Sequence, residues 1–146
     1  MNKQKKKKLI IGCIVGALFV AMFIFNLFFS IAFVIGDSMY PTYHDGQFLL
    51  TARNYTIERF DVVTISKGEI IVKRVIGMPN ETIKYENNVL YINGEEVIDP
   101  YNTTTEDFEV TLGPNEYFVM GDNRQDSKDS RYFGTFTTDQ IITEVC

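Results

Sequence analysis

The chain has 146 residues and a formal net charge of −5, with 14 basic and 19 acidic side chains. This length suits one domain of modest size. Five of the lysines lie in the first eight residues, so the remainder carries nine basic against 19 acidic residues, a formal −10. Such an acidic domain is a poor partner for nucleic acid, because neutralised phosphates provide most of that affinity.

An uncharged apolar run follows the lysines and extends from Leu9 to Gly36. A helix of about 20 apolar residues crosses a bilayer. We therefore predict a basic cytoplasmic tail (1–8), a transmembrane anchor (9–35) and an extracytoplasmic domain (36–146) at the cell membrane, in a single-pass arrangement with the lysines inside. The alternative is a cleaved secretory signal peptide, since residues 30–32 resemble a cleavage site, although the run exceeds the usual ~7–15 apolar residues.

The cysteines and the single histidine limit the possible chemistry. Cys13 lies inside the apolar run and Cys146 is the last residue, so we predict no disulfide framework. His44 is the only histidine, and a single histidine does not make a metal-ligand cluster. We expect neither a metal nor a cofactor.

The exported part has the pattern of a mainly β domain, with short β-rich segments separated by turn residues. Asn87-Asn88 and Asn93-Gly94 are predicted to form tight hairpin turns. The polar stretch 99–109 is predicted to be a surface loop, and 121–134 is dense in turn residues. The predicted strands are 47–53, 61–66, 69–76, 82–86, 89–93, 96–98, 109–112, 116–120 and 140–145.

Ser38 follows the apolar run directly, in the stretch IGDSMYPTYHDG. A serine hydroxyl is a weak nucleophile at neutral pH and needs an adjacent base. His44 lies only six residues away, but no third residue is marked out to orient it, so the sequence favours it as a loop residue.

Lys73 is the other candidate base, in the middle of the strand pattern IIVKRVI. Ile71 and Val75 share its face, and aliphatic neighbours disfavour the charged form of a lysine. A fall of ~2–3 units from the ordinary pKa of about 10.4 would suit a general base at neutral pH. The alternative is a lysine at a strand edge whose amine reaches water.

Four stretches in order resemble the motifs of type I signal peptidases, the membrane-anchored serine proteases that remove signal peptides. Residues 38–42 resemble S-M-x-P-T, and residues 59–63 resemble R-G-D-[IV]-V with Phe60 in place of glycine. Residues 73–79 resemble K-R-V-[IV]-G-x-P, and residues 121–131 resemble G-D-N-R-x-x-S-x-D-S-R. Together they cover most of the chain.

The resemblance implies a signal-peptidase-like β domain behind one N-terminal transmembrane helix. It also implies that Ser38 is the nucleophile, Lys73 the general base, and Ser127 the hydroxyl that bonds and orients the lysine. The implied partners are the lipid bilayer and exported preproteins with small residues at positions −1 and −3, which bind as an added strand. Segments 34–39 and 70–73 are the expected edges for that strand.

The remaining motif residues are expected to support the site. The resemblance implies an ion pair between Asp129 and Arg131, and a loop that Asp122 and Arg124 fix. Some relatives supply an oxyanion donor from a serine where this chain has Gly36. The backbone amide of Ser38 is then the first oxyanion donor, and the identity of the second donor stays open. Gly36 would instead allow a sharp turn of the chain.

Two departures from the family pattern leave alternatives open. The chain stops at Cys146, where relatives continue through another apolar strand, which would fit a C-terminal truncation. The short stretch between residues 77 and 121 resembles the compact Gram-positive form.

A catalytically silent module that binds exported or pilus subunits is the main rival. A self-cleaving Ser-Lys repressor would need a DNA-binding domain and no anchor.

Overall fold

The computed structural model describes residues 2–146 and begins with a long exposed helix. Helix α1 (Lys3–Phe28) has no buried residue, and its length and apolar composition are sufficient to cross a membrane. Its uncharged part, from Leu9 to Phe28, would extend about 30 Å at 1.5 Å per residue, which matches the hydrocarbon thickness of a bilayer.

The end of the apolar run differs from the predicted anchor, which included residues 9–35. Strand β1 (Phe29–Phe33) follows the helix at once and pairs antiparallel with β2 (Phe48–Ala52). The predicted boundary at residue 36 is therefore too late, because β1 belongs to the sheet of the domain. Apolar composition cannot distinguish a helical segment from a buried strand, and here the pairing with β2 decides the conformation.

The larger of two antiparallel sheets has seven strands, in the order β1-β2-β11-β3-β4-β9-β10. Strand β11 lies between β2 and β3, so the last strand of the chain joins the first two to the rest. Its other strands are β3 (Val62–Ser66), β4 (Ile70–Gly77), β9 (Glu116–Met120), β10 (Phe136–Thr137) and β11 (Ile141–Val145).

The smaller sheet has the order β7-β6-β5-β8. Asn87 and Asn88 have φ angles of +50° and +67°, and Asn93 and Gly94 have +51° and +85°, as the predicted two-residue turns require. These four strands are β5 (Thr82–Glu86), β6 (Val89–Ile92), β7 (Glu95–Val97) and β8 (Phe108–Thr111). The fold is mainly β, as predicted, and each predicted strand is present within one or two residues.

Three apolar clusters form the core and fix the elements around the candidate site. One lies between the two sheets and includes Tyr85 and Met120. A second packs around Val75 on one face of the larger sheet. The third packs Met39 against Val72 and so holds the segment that follows β1 against strand β4. The sequence pattern did not predict α2 (Ser130–Phe133) or a 3₁₀ turn at Thr138–Gln140.

Candidate active site

The structure brings Ser38 and Lys73 into direct contact, 35 positions apart in the chain. Lys73 Nζ lies 2.8 Å from Ser38 Oγ and 2.9 Å from the Val72 carbonyl oxygen. His44 instead packs its ring against Tyr40, with 5.4 Å between the ring centroids. A lysine amine, and not the imidazole, is thus within proton-transfer distance of the serine hydroxyl.

Lys73 is buried, and in the described residues no carboxylate lies within ion-pair distance of its amine. Burial lowers the pKa of Lys73 below its ordinary value, although the more distant charges of Asp129 and Asp122 oppose the shift. Desolvation disfavours the ammonium form because the interior solvates a charge less well than water does. The predicted buried, depressed lysine is therefore present.

The backbone around Ser38 is held on both sides. Gly36 has a φ angle of +78°, a left-handed conformation that favours glycine, and its amide donates to Asp45 Oδ1 at 2.7 Å. On the other side Asn123 donates its backbone N–H to the Ser38 carbonyl at 3.0 Å and its side-chain amide to the Asp37 carbonyl. The serine is fixed before a substrate binds.

Gly121 leaves room for this contact between the loop and the serine. A Cβ atom at position 121 would overlap the Ser38 carbonyl oxygen and the side chain of Ser127. Glycine is therefore required here by close approach, and its φ angle is not the reason. The G-D-N-R stretch thus acts on the nucleophile through its backbone.

Ser127 does not make the hydrogen bond that was predicted for it. Its Oγ atom is buried and makes no hydrogen bond within residues 2–146, so the predicted bond to Lys73 is absent from the structure. The Val72 carbonyl is the second partner of the lysine amine instead. The hydroxyl lies close enough to Asp129 to help lower the pKa of that carboxyl, but outside hydrogen-bond geometry.

Asp129 and Arg131 form the predicted ion pair beneath the site, with 2.8 Å between Arg131 Nη2 and Asp129 Oδ2. Burial alone would raise the pKa of Asp129, but bonds from Arg131 and the Gly121 amide, with the arginine charge, outweigh it and lower the pKa. Asp129 also accepts from the Arg131 amide at the start of α2. The carboxylate therefore ties the short helix to Gly121.

Asp122 fixes the loop through a partner that sequence reasoning missed. Arg74, next to Lys73 on β4, donates Nε and Nη2 to the two carboxylate oxygens of Asp122 at 2.7 and 2.6 Å. Thr42, from the motif that contains Ser38, donates to the same carboxylate at 2.6 Å. Arg74 and Thr42 both stand within the family motifs, and that signal could have identified them.

Arg124 also has unpredicted partners, and one of them lies in the polar loop that was expected on the surface. Its Nη1 lies 2.7 Å from Asp99 Oδ2 and donates to Tyr85 Oη at 3.0 Å, while its Nε donates to the Gly121 carbonyl. Tyr85 donates in turn to Asp99, and burial raises the tyrosine pKa. The Asp99 side chain is consequently buried, and with Tyr85 it anchors the small sheet to the loop that contains Arg124.

A cleft of about 520 Å³ opens beside Ser38 and Lys73. One wall is the edge strand β1 with residues 34–35, and the other is residues 69–73 at the start of β4. Strand β9 pairs with β4 only from Arg74 onward, so the preceding residues face the cleft. Both segments predicted as edges border it.

The match to a family model identifies the chain. The model described as "Signal peptidase, peptidase S26" matches residues 7–146. The chain belongs to the signal peptidase family. A peptidase function follows from this membership.

Individual relatives agree with the family model. The chain is 40% identical over 130 residues to signal peptidase I S of Bacillus subtilis, an alignment that covers 74% of this chain and 70% of that protein. It is 41% identical over 133 residues to signal peptidase I V of the same organism, covering 75% and 79%. A crystal structure of a signal peptidase I from Enterococcus faecalis is 32% identical, with a TM-score of 0.59, covering 63% of this chain and 98% of that one.

Proposed function

We propose that this member of the signal peptidase family is a membrane-bound serine endopeptidase that removes N-terminal signal peptides from exported preproteins. The observation that carries the proposal is the 2.8 Å contact between Ser38 Oγ and Lys73 Nζ. Burial lowers the pKa of Lys73, which is the direction that a general base requires. No cofactor takes part in the proposed chemistry.

The reaction follows the logic of nucleophilic catalysis. Neutral Lys73 removes the proton of Ser38 as Oγ attacks the scissile carbonyl, and the resulting ammonium returns a proton to the leaving amine. Water then hydrolyses the acyl-enzyme, with the lysine again as base. No acceptor in residues 2–146 takes the Ser38 amide hydrogen, so that amide is the first oxyanion donor. The second donor stays an open prediction.

The substrate is proposed to bind in an extended conformation between residues 31–35 and 70–73. Both borders present strand edges to which a peptide can add main-chain hydrogen bonds. The cleft floor near Ser38 is apolar and consists of Ala32, Val34, Met39 and Val72. A floor of this kind fits small side chains at positions −1 and −3.

Membrane attachment is proposed through α1, with the lysines on the cytoplasmic side and the β domain outside. The outer face of the β1–β2 pair supports this arrangement, because Ile31, Phe33, Phe48 and Leu50 are 44–65% exposed on it. Such an apolar face next to the end of α1 fits the lipid surface better than water. Cleavage after residue 32 would remove β1 with its pairing, which disfavours the cleaved-signal alternative.

The experiment that tests the proposal uses the full chain in liposomes and a preprotein with alanine at −1 and −3. We expect cleavage after the −1 residue by the unmutated chain and by His44→Ala, whose side chain lies outside the proposed machinery. Ser38→Ala and Lys73→Ala should each lose at least about a hundredfold in rate, as expected when a nucleophile or base is removed.

The main rival gives a different outcome. A silent relative would bind the preprotein but never cut it, in the unmutated chain as in the variants. Equal cleavage by Ser38→Ala and the unmutated chain would also reject the proposed nucleophile. Thermal unfolding of each variant shows whether a loss of activity reflects a loss of fold.

The role of Ser127 stays a prediction. Its buried hydroxyl has no partner among residues 2–146, so it is available for a hydrogen bond during the reaction.

A further inference from the structure

Two pairs of hydroxyl groups line the floor of the cleft, beside its apolar part. Ser30 Oγ lies 2.8 Å from Thr51 Oγ1, and Thr64 Oγ1 lies 2.6 Å from Thr143 Oγ1. The three threonines are at most 3% exposed, and all four residues border the cleft. They come from four different strands, so the sequence spacing gives no sign that they meet.

The Ser30–Thr51 pair satisfies itself. Each hydroxyl has one hydrogen to donate and two lone pairs to accept. Thr51 Oγ1 donates to the Ser30 carbonyl oxygen at 3.1 Å, so the bond between the two hydroxyls uses the hydrogen of Ser30. Both hydrogens therefore have acceptors inside the pair.

In the Thr64–Thr143 pair, by contrast, only one of the two hydroxyl hydrogens has an acceptor within the described part of the chain. One hydroxyl donates to the other, and the remaining hydrogen has no acceptor among residues 2–146. A buried donor without an acceptor costs free energy that a suitable ligand can recover. This pair therefore presents one unused donor to whatever occupies the cleft.

We infer that the Thr64–Thr143 pair is a specificity determinant for the −3 side chain of the preprotein, and that it favours a serine or threonine hydroxyl over an apolar group of equal size. The inference rests on the proposed function. A −3 threonine would place its methyl group on the apolar floor and its hydroxyl oxygen against the unused donor.

The position along the substrate follows from the strand register. Val72, next to Lys73, pairs directly with Thr64 across β3 and β4, which places their Cβ atoms about 5 Å apart. Side chains on one face of an extended peptide recur every second residue, at about 7 Å. Val72 and Thr64 share the strand face opposite to that of Lys73, and this is the face on which Val72 clusters with Met39. With −1 beside Ser38, the hydroxyl pair is assigned to −3, the next peptide side chain that points to that face.

The test compares preproteins that differ only at −3, with threonine or valine, because these side chains have nearly the same shape. An alanine substrate normalises the rates. For the unmutated chain in liposomes we expect kcat/KM to be about fivefold higher for threonine, the effect of one net hydrogen bond. The double variant Thr64→Val/Thr143→Val should bring this ratio to about one, because the donor is gone.

The matched control is Ser30→Ala/Thr51→Val, which removes the self-satisfied pair from the same cleft and should keep the threonine preference. Each single variant, Thr64→Val or Thr143→Val, should also keep it, because the remaining hydroxyl still has a hydrogen without an acceptor. A preference that survives the double variant would overturn the inference. So would a ratio of one in the unmutated chain, a result that does not depend on any variant folding.

Binding separates this inference from the proposed function. The Kd of the threonine and valine preproteins can be measured with Ser38→Ala, where no cleavage is expected. A Kd ratio of about five supports the inference, even if the unmutated chain never cuts and the proposed peptidase activity fails. Equal Kd values would overturn the inference, whether or not the unmutated chain cleaves.

Discussion

Lys73 and Arg74 are neighbours on β4 and are equally buried, at 4% exposed, but their surroundings differ. Arg74 donates to both oxygens of Asp122 and to the Phe60 carbonyl, and its guanidinium stacks 3.5 Å from the centroid of the Tyr101 ring. Lys73 has a hydroxyl and a carbonyl as its partners. Arg74 therefore has a carboxylate countercharge within ion-pair distance, whereas Lys73 has none among residues 2–146.

This difference fits a structural role for Arg74 and a catalytic role for Lys73. A buried charge is tolerated when it is paired, and otherwise the group shifts its pKa toward the neutral form. Arginine stays charged in proteins and suits a two-bond contact with a carboxylate, whereas lysine loses its proton more readily. Exchanging or breaking either set of partners should therefore have distinct effects on stability and activity.

The largest expected effect is on activity in Lys73→Met. Methionine is of similar length but cannot accept a proton, so kcat/KM should fall about 10²–10⁴-fold. Stability should stay the same or rise, because the change removes a buried polar group without a carboxylate partner. Preprotein cleavage and thermal unfolding of the full chain in detergent would measure both. A clear fall in Tm would mean that Lys73 is structural, as Arg74 is.

Asp122→Asn tests the other side of the comparison. The change leaves the Arg74 guanidinium buried without a countercharge, which should lower the free energy of unfolding by about 3–5 kcal/mol. Denaturant unfolding of the full chain would measure it. The matched control is Glu86→Gln, which breaks the exposed pair with Lys84 and should change stability little. Equal effects of the two changes would show that burial of the Arg74 pair is unimportant.

Gly121→Ala should have a smaller effect and should act on both properties. The added methyl group overlaps the Ser38 carbonyl and the Ser127 side chain. We therefore expect the free energy of unfolding to fall by about 1–3 kcal/mol. The displaced serine should also cost activity, because small shifts from a reactive geometry slow the reaction. Gly16→Ala is the control, since a Cβ there meets no atom within 4 Å. Unchanged cleavage by Gly121→Ala would show that the contact with this loop does not position the nucleophile.

Local patterns predicted the strands and turns well, because alternation and asparagine turns act over a few residues. The family resemblance implied the Asp129–Arg131 pair, whose members lie two positions apart within one motif, and the structure contains it. The family motifs indicated both Ser38 and Lys73, and the structure places them in contact. That contact is long-range, and the strand pattern of Lys73 alone did not specify its partner.

Other features depend on tertiary contacts that no local pattern contains. The segment 29–33 is as apolar as the helix before it, and only its pairing with β2 makes it a strand. Asp99 stands in a polar stretch typical of a surface loop, but its side chain is buried against Arg124 from a distant motif. Phe60 adopts a φ angle of +73° where the family has glycine, and its packing against the core between the sheets accompanies this conformation.

The pH dependence distinguishes Lys73 from Arg74 most finely. Burial lowers the pKa of Lys73, so activity should rise with pH through that lowered value, as the amine becomes neutral. The ion pair of Arg74 with Asp122 does not involve the Lys73 amine, so the fold should persist at acidic pH values where activity has already declined. Cleavage rates and unfolding curves across one pH series would compare the two. Activity that declines together with the folded fraction would contradict this separation.

Lys73 should also leave a small signature in stability. Between its lowered folded pKa and its unfolded pKa of about 10.4, the unfolded chain binds more protons, so the free energy of unfolding rises with pH. The raised pKa of Tyr85 acts in the opposite sense at alkaline pH, because there the folded state retains the proton. Subtracting the Lys73→Met curve from that of the unmutated chain removes the tyrosine contribution. The difference should rise with pH across this window, and a flat difference would mean that the lysine pKa is not depressed.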